Sequence, residues 1–414
     1  MNDAPLIVAC DLGTTAFRAV VLEVPVGGRP RVVAGASEPA DGFEDGDFVD
    51  IKTGSLALAR LLRRLQDEAN VDIRGFTFNV AGSHLRSVMA TGQIPLGQAG
   101  REITQRDVDE VMTMARSLTI PFDHRTLTVN PIEFSVDRIG GVREPRGRVG
   151  SRLEVKAHLI TGSSSVIQNI EHTVDKAGFE PVGHAVDVLA VASCLLSEDE
   201  RDQGVLLIDV GGDVTQWAAL AGGRLLGIGS VPWGGEHLTS DLASGLRIGA
   251  DAAEEVKRDR GVVLRSLVEE ADIDALFDEE DPVETPGLVA AILEPRFEEI
   301  LSLVKDALGP DLPLASFGAG VVLTGGGSRC RGSRELCEEV FGLPTRSRRL
   351  PESVDDLSRL GEGQWASALG LGLWGGGLGP AAATEPETER PPGWIDRLRG
   401  LWRRGGRGPS VDPN

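Results

Sequence analysis

Two short runs in this chain pair an aspartate with glycine and threonine at what reads as the end of a strand: CDLGTT at residues 10–15 and DVGGDVTQ at 209–216. Glycine lets backbone N–H groups come close to an anion and form a concave nest around phosphate oxygens. The turn through Gly13, Thr14 and Thr15 and the turn through Gly211 and Gly212 suit that task. Asp11 and Asp209, one at each strand end, suit a hydrated Mg2+ held between the loops. A single loop of this kind also reads as a plain β-hairpin, but two in matching context weaken that reading. A third run, Gly325-Gly326-Gly327, follows the strand-like VVLT and suits a backbone passing close to a flat ligand such as adenine. Glu254 and Lys257 stand three apart on a predicted helix and therefore share a face. They suit the hydroxyls of a ribose, and equally a solvated ion pair.

The elements that must position these groups recur. LIVACDLGTTAFRAVVLEV and, about two hundred residues on, GVLLIDVGGDVTQWAALAGG both read as a buried strand, an Asp-x-Gly turn and a second strand. Each ends in a glycine-containing hairpin, VGGRPRVV in one and AGGRLLGI in the other, so the pattern reads as an internal duplication. Between the copies, residues 82–161 read strand, helix, strand, strand. In ITQRDVDEVMTMA the apolar residues Ile103, Val108, Val111, Met112, Met114 and Ala115 suit a helix laid on a sheet. Asp187, in HAVDVLAVASCLL, stands at a helix start, where it caps the helix or orients an attacking water.

With 41% apolar and 25% charged residues, the 414-residue chain has the composition of a soluble globular protein of more than one domain. No run reaches the roughly 18 to 20 apolar residues of a membrane span. The N-terminus lacks the basic start and small-residue cleavage site of a signal peptide. Cys10, Cys194, Cys330 and Cys337 form no CxxC pair, so reduced, packed thiols are expected. A net charge of −21 argues against nucleic acid as a partner.

Against that charge, residues 390–407 hold six arginines and one aspartate. They follow a Gly/Pro/Ala/Glu-rich stretch, 374–393, that reads as a flexible linker. At ~100° per residue, Trp394, Ile395, Leu398, Leu401 and Trp402 fall within an arc of about 120°. Arg397, Arg399, Arg403 and Arg404 flank or adjoin that arc. This is the pattern of an interfacial amphipathic helix over 394–404 that docks on anionic lipid. A helix that docks on its own protein or on a partner is the other reading.

Taken in order, these elements resemble the actin/heat-shock-chaperone/sugar-kinase ATPase superfamily and, in detail, the FtsA-type bacterial cell-division proteins. The resemblance covers nearly the whole chain. PRGRVGSRLEVKAH is similar to that family's Pro-x-Gly-x-x-Gly-x-Arg-Leu-Glu-Val pattern within its inserted subdomain. The resemblance implies an α/β, actin-like ATPase fold: two duplicated RNase H-like domains flanking a nucleotide cleft, with an inserted strand-helix-strand-strand subdomain. The implied division is 1–82 and 162–203 for the first domain, 83–161 for the insert, 204–345 for the second domain with a lid at about 239–315, and 346–373 for the return to the first.

The ligands implied are ATP and Mg2+. Nucleotide contacts carry over to Asp11, Gly13, Thr14, Thr15, Asp209, Gly211, Gly212, Thr215, Gly234, Gly235, Glu254, Lys257 and Gly325 to Gly327. The metal falls to Asp11 and Asp209 through water, and hydrolytic catalysis to Asp187. LEPRFEEILSLVKDAL resembles the helix that receives the C-terminal peptide of FtsZ, with Arg296 as a contact. Self-polymerisation, other division proteins at the insert, and a place on the cytoplasmic face of the inner membrane at the division site are implied as well.

Among its departures from the family's Asp-x-Gly-Gly-Gly-Thr-Thr-Asp, Asp213 replaces the third glycine and Gln216 the last acid. A carboxylate beside a γ-phosphate is repulsive unless Mg2+ or a proton compensates, so ATP binding with at most slow hydrolysis is expected. A pilus-assembly adaptor of the same superfamily and a sugar kinase, whose start DLGTTAFRA also resembles, are the competing readings.

Overall fold

The computed structural model describes residues 4–25, 27–117, 120–268, 286–347, 350–360 and 364–377. These form two compact units. One is drawn from the described residues within 4–80, 165–194 and 350–377; the other is drawn from those within 81–164 and 195–347.

The first unit is built on a five-stranded sheet in the order Glu180–Val186, Gly75–Val80, Leu6–Leu12, Ala16–Glu23, Arg31–Pro39. The first three strands are parallel, and the last three form an antiparallel meander. Gly75–Val80 is buried at every position and Leu6–Leu12 at all but its first, as expected of strands covered on both faces. Helices Ile51–Ala69 and Ala366–Gly375 pack on this sheet. The first of them starts where the Asp50 carboxylate accepts from Lys52 N and Thr53 N at 3.0 and 3.1 Å. It ends at Asn70, whose left-handed backbone (φ 52°) closes the last turn. Between those caps Leu58, Leu61, Leu62 and Leu65 recur at helical spacing and are buried.

The second unit repeats the sheet strand for strand: Thr345–Ser347, Val321–Thr324, Val205–Val210, Thr215–Ala221, Arg224–Val231. Pairing directions repeat too, with two parallel pairs and then two antiparallel ones. The duplication expected from the two Asp-x-Gly turns is therefore present as architecture. Helices Gly235–Leu246, Ala250–Arg260 and Pro286–Leu308 share one core with this sheet, through Leu238, Leu242, Ala253, Val256, Leu293 and Phe297.

The insert within this unit is a four-stranded sheet in the order Ile139–Val142, His124–Val136, Arg152–Ser163, Arg86–Pro95. Helix Gln105–Arg116 packs on it. Compared with strand-helix-strand-strand, the fold adds the short strand Ile139–Val142 and a two-stranded ribbon, Arg101–Glu102 with Val149–Gly150. Of the helix's apolar residues, Val111, Met112 and Ala115 are buried, while Met114, at the edge of their arc, is 47% exposed. Asp107 is buried beneath the helix start, where it accepts from both terminal nitrogens of Arg101 and from Thr104 N and Oγ1.

All four cysteines are buried free thiols. Helix Ala366–Gly375 runs two residues into the stretch expected as linker. Residues 378–393 of that stretch and the amphipathic segment 394–404, with Trp394, Ile395, Arg397, Leu398, Arg399, Leu401, Trp402, Arg403 and Arg404, lie outside the described residues.

Candidate functional site

In the first unit, Asp11 stands near the end of a central strand, beside the neighbouring strand's Asn79 and one step beyond the Cys10–Phe78 pair. Asn79 Nδ2 donates to Asp11 Oδ1 and to Asp187 Oδ1, each at 3.0 Å, while Asn79 Oδ1 accepts from Leu12 N at 2.7 Å. One amide thus holds two carboxylates that are only 7% and 5% exposed. Asp187 opens helix Asp187–Leu195, so the residue expected at a helix start does stand there, and next to Asp11. Arg18 Nη1 lies 4.0 Å from the far Asp11 oxygen. Gly13 follows in the turn, with Thr14 half-buried and Thr15 exposed.

In the second unit three glycine turns stack. Gly211 O accepts from Gly235 N at 2.8 Å and Gly212 O from Glu236 N at 2.9 Å, which ties the phosphate-loop turn to the start of helix Gly235–Leu246. The approach at Gly234 is so close that a Cβ there would lie 2.4 Å from Gly212 O. At Gly325 the backbone is left-handed (φ 92°), and a Cβ would lie 2.4 Å from Asp209 Oδ1 and 2.2 Å from Val210 O. Gly327 in turn meets Gly235, a Cβ there lying 3.4 Å from the Gly235 Cα. Gly326 is exposed beside them, and Thr215 Oγ1 donates to Trp233 O at 2.7 Å behind them.

Lys257 completes this cluster. Its ammonium donates to Gly235 O at 2.9 Å and Thr239 Oγ1 at 2.6 Å, and meets Glu254 Oε2 at 2.5 Å. The Lys257 side chain is 9% exposed and its partner Glu254 is half-buried, so the pair belongs to a largely enclosed network and is not a freely solvated ion pair. Burial works to raise the Glu254 carboxyl, and the hydrogen bonds from Lys257 and Thr239 outweigh it, so its pKa is lowered. Glu236 goes the other way, raised by burial and by the nearby Glu254 and Asp213. Asp213 thus stands near enough to Glu236 to oppose its ionisation. Burial pushes the Cys330 thiol up to about 11, which leaves it a thiol and no nucleophile.

Three participants escaped the sequence reading. Asn79 is placed by strand pairing, and its only sequence signal is a polar residue near the end of the buried run GFTFNV. Trp233, directly before Gly234-Gly235, stacks with the Arg296 guanidinium 4.6 Å from its ring centroid. Arg329 lines a cavity of about 600 Å³ that opens beside the Gly325–Gly327 turn, with Leu267, Leu323, Ser328, Arg331 and Ser347. Arg296 itself is held by Asp241 at 2.6 and 3.3 Å and by Glu299 at 2.6 Å on helix Pro286–Leu308.

Residues 82–161 match the family profile described as "SHS2 domain inserted in FTSA", and residues 206–370 match "Cell division protein FtsA". The chain is 32% identical over 379 residues to the cell division protein FtsA of Pseudomonas aeruginosa, which covers 91% of this chain and 90% of that one. This chain belongs to the FtsA family. The FtsA of Escherichia coli K12 is 28% identical over 97% of this chain and 99% of its own. Among solved structures, the PilM-PilN type IV pilus biogenesis complex matches with a TM-score of 0.61 at 19% identity, covering 90% of this chain and 98% of that one. MreB5 of Spiroplasma citri bound to ADP matches with a TM-score of 0.50 at 16% identity, covering 84% and 92%. Likeness at those identities shows the fold, which is the actin-like one.

Proposed function

We propose that this FtsA-family chain binds ATP, polymerises on the cytoplasmic face of the inner membrane at the division site, and tethers the FtsZ ring there through its C-terminal amphipathic segment. The observation that carries the nucleotide part is the stacking of Gly211–Gly212, Gly234–Gly235 and Gly325–Gly327 around a buried Lys257. Glycine lets the backbone of these turns come close to phosphate oxygens, and the cavity beyond Gly327 has room for a purine. There the planar Arg329 guanidinium is suited to stack on the base. Mg2+ keeps most of its waters and takes few protein ligands. Asp11 and Asp209, each near the end of a central strand of its own sheet, suit water-mediated contact with an ion brought in on the phosphates.

Catalytic turnover is slow in this reading. Asp187 has its carboxylate committed to Asn79, and Asp213 opposes the build-up of charge on a γ-phosphate. ATP then serves assembly.

Partner surfaces follow. Six of the eight exposed large apolar side chains among the described residues (Val88, Met89, Met114, Phe122, Ile139 and Val149) belong to the insert, which suits contacts with other division proteins. Helix Pro286–Leu308 with Arg296 receives the FtsZ C-terminal peptide. The family-level matches are to FtsA proteins, whereas the pilus complex shares the fold alone, and the sugar-kinase reading gains nothing from either.

Co-sedimentation with anionic liposomes tests the tether. The full chain is expected to pellet and a chain ending at Arg390 to stay in solution, with ATP increasing the pelleted fraction of the full chain by avidity. Equal pelleting of both chains refutes the anchor.

A further inference from the structure

We infer that Trp233 transmits nucleotide occupancy from the glycine turns to the exposed face of helix Pro286–Leu308 around Arg296. The inference rests on nucleotide binding at those turns, and it assigns Trp233 a role as a positioning residue.

The physical path is short and lies within one unit. Trp233 immediately precedes Gly234-Gly235, and its carbonyl accepts from Thr215 Oγ1 at 2.7 Å, the threonine that closes the second phosphate loop. The Gly234–Gly235 turn has no slack against that loop: two main-chain hydrogen bonds join them, and even a methyl on Gly234 would collide with Gly212 O. Displacement of Gly211–Gly212 by phosphate must therefore carry Gly234 with it, and Trp233 with Gly234. The indole cannot move alone. The His237 ring packs against it at a tilt of 52°, centroids 4.5 Å apart, and the imidazole Nδ1 accepts from Gly234 N at 3.1 Å. Arg296 stacks 4.6 Å from the same indole.

Arg296 is in turn forked onto Asp241 of helix Gly235–Leu246 and paired with Glu299 one turn along its own helix. Its side chain is only 23% exposed, so the cation–π contact acts in partly desolvated surroundings. A shift of the indole consequently changes how firmly Arg296 is held, and with it the polar surface that helix Pro286–Leu308 offers a partner peptide. Occupancy of the glycine turns and the readiness of that helix face are two ends of one packed chain of groups.

Hydrogen exchange of residues 286–308, run beside calorimetric titration with ATP in Mg2+, tests this. In the full-length wild type, saturating ATP is expected to slow exchange in this helix by about fivefold or more, the low end of allosteric coupling. Trp233→Phe keeps an aromatic face for Arg296 and is expected to retain the effect. Trp233→Leu and Arg296→Gln remove the stack from either side and are expected to lose it while binding ATP within about threefold of wild type, a change below the size of that coupling. If the helix responds to ATP equally in Trp233→Leu, or fails to respond in a wild type that binds ATP, the coupling is overturned and nucleotide binding stands. No calorimetric binding by wild type overturns both.

Discussion

A buried ammonium is costly unless acceptors surround it, and Lys257 has a carbonyl, a hydroxyl and a carboxylate. Lys257→Met leaves Glu254 half-buried without that partner and is expected to lower stability by about 3 kcal/mol in chemical denaturation. Adding Glu254→Leu is expected to restore most of the stability but none of the ATP affinity, which separates the structural from the ligand-facing use of the pair. Asp107 gives a pH-dependent counterpart. The Arg101 guanidinium and Thr104 hold its carboxyl well below the ordinary 3.8. A lowered folded pKa contributes stability that is complete above the unfolded value and is lost as pH falls through the folded one. The insert should therefore weaken below about pH 4. Asp107→Asn is expected to cost about 2 kcal/mol at neutral pH and to flatten that acid limb in thermal melts.

At the scale of elements, helix Ile51–Ala69 draws its start from a single carboxylate. Asp50→Ala is expected to cost about 1 kcal/mol. Helix Pro286–Leu308 depends instead on its buried stripe, and Leu293→Ala is expected to cost about 2 to 5 kcal/mol by leaving a cavity among Leu242, Val289 and Phe297. Both losses are readable in denaturant midpoints. The same contrast explains what the amino-acid order revealed. Local signals announced the strand-Asp-Gly-strand units, the helix at 105–116 and the start of the helix at 187, because turns and periodicity are written within a few residues. Asn79 and Trp233 were invisible, since each acquires its role from a strand or helix far along the chain. Glu254 and Lys257 were visible as a pair, but their burial was not, because it depends on the closeness of Gly235 and Thr239. The short strand Ile139–Val142 was missed for a different reason: IGGV carries two glycines and no alternation.

For the whole molecule, two copies of one sheet order each present an aspartate near the end of a central strand, and each copy solves the resulting charge differently. In one, Asn79 and Arg18 attend Asp11; in the other, Gly325 closes over Asp209. The chain's net charge of −21 opposes approach to an anionic surface, so in the proposed reading attachment draws on the arginine-rich end. Binding of the full chain to anionic vesicles is therefore expected to fall steeply between about 0.05 and 0.5 M salt, as screened attraction requires, with weak binding to neutral vesicles throughout.

The enclosure of Lys257 has one more consequence. Of the chain's five lysines, Lys52, Lys156, Lys176 and Lys305 are exposed and only Lys257 is buried. Amine-directed acylation should thus mark four lysines within minutes and spare the fifth. In a chain whose cations are otherwise arginines, the slow fifth modification becomes a clock for how often the glycine-lined recess opens.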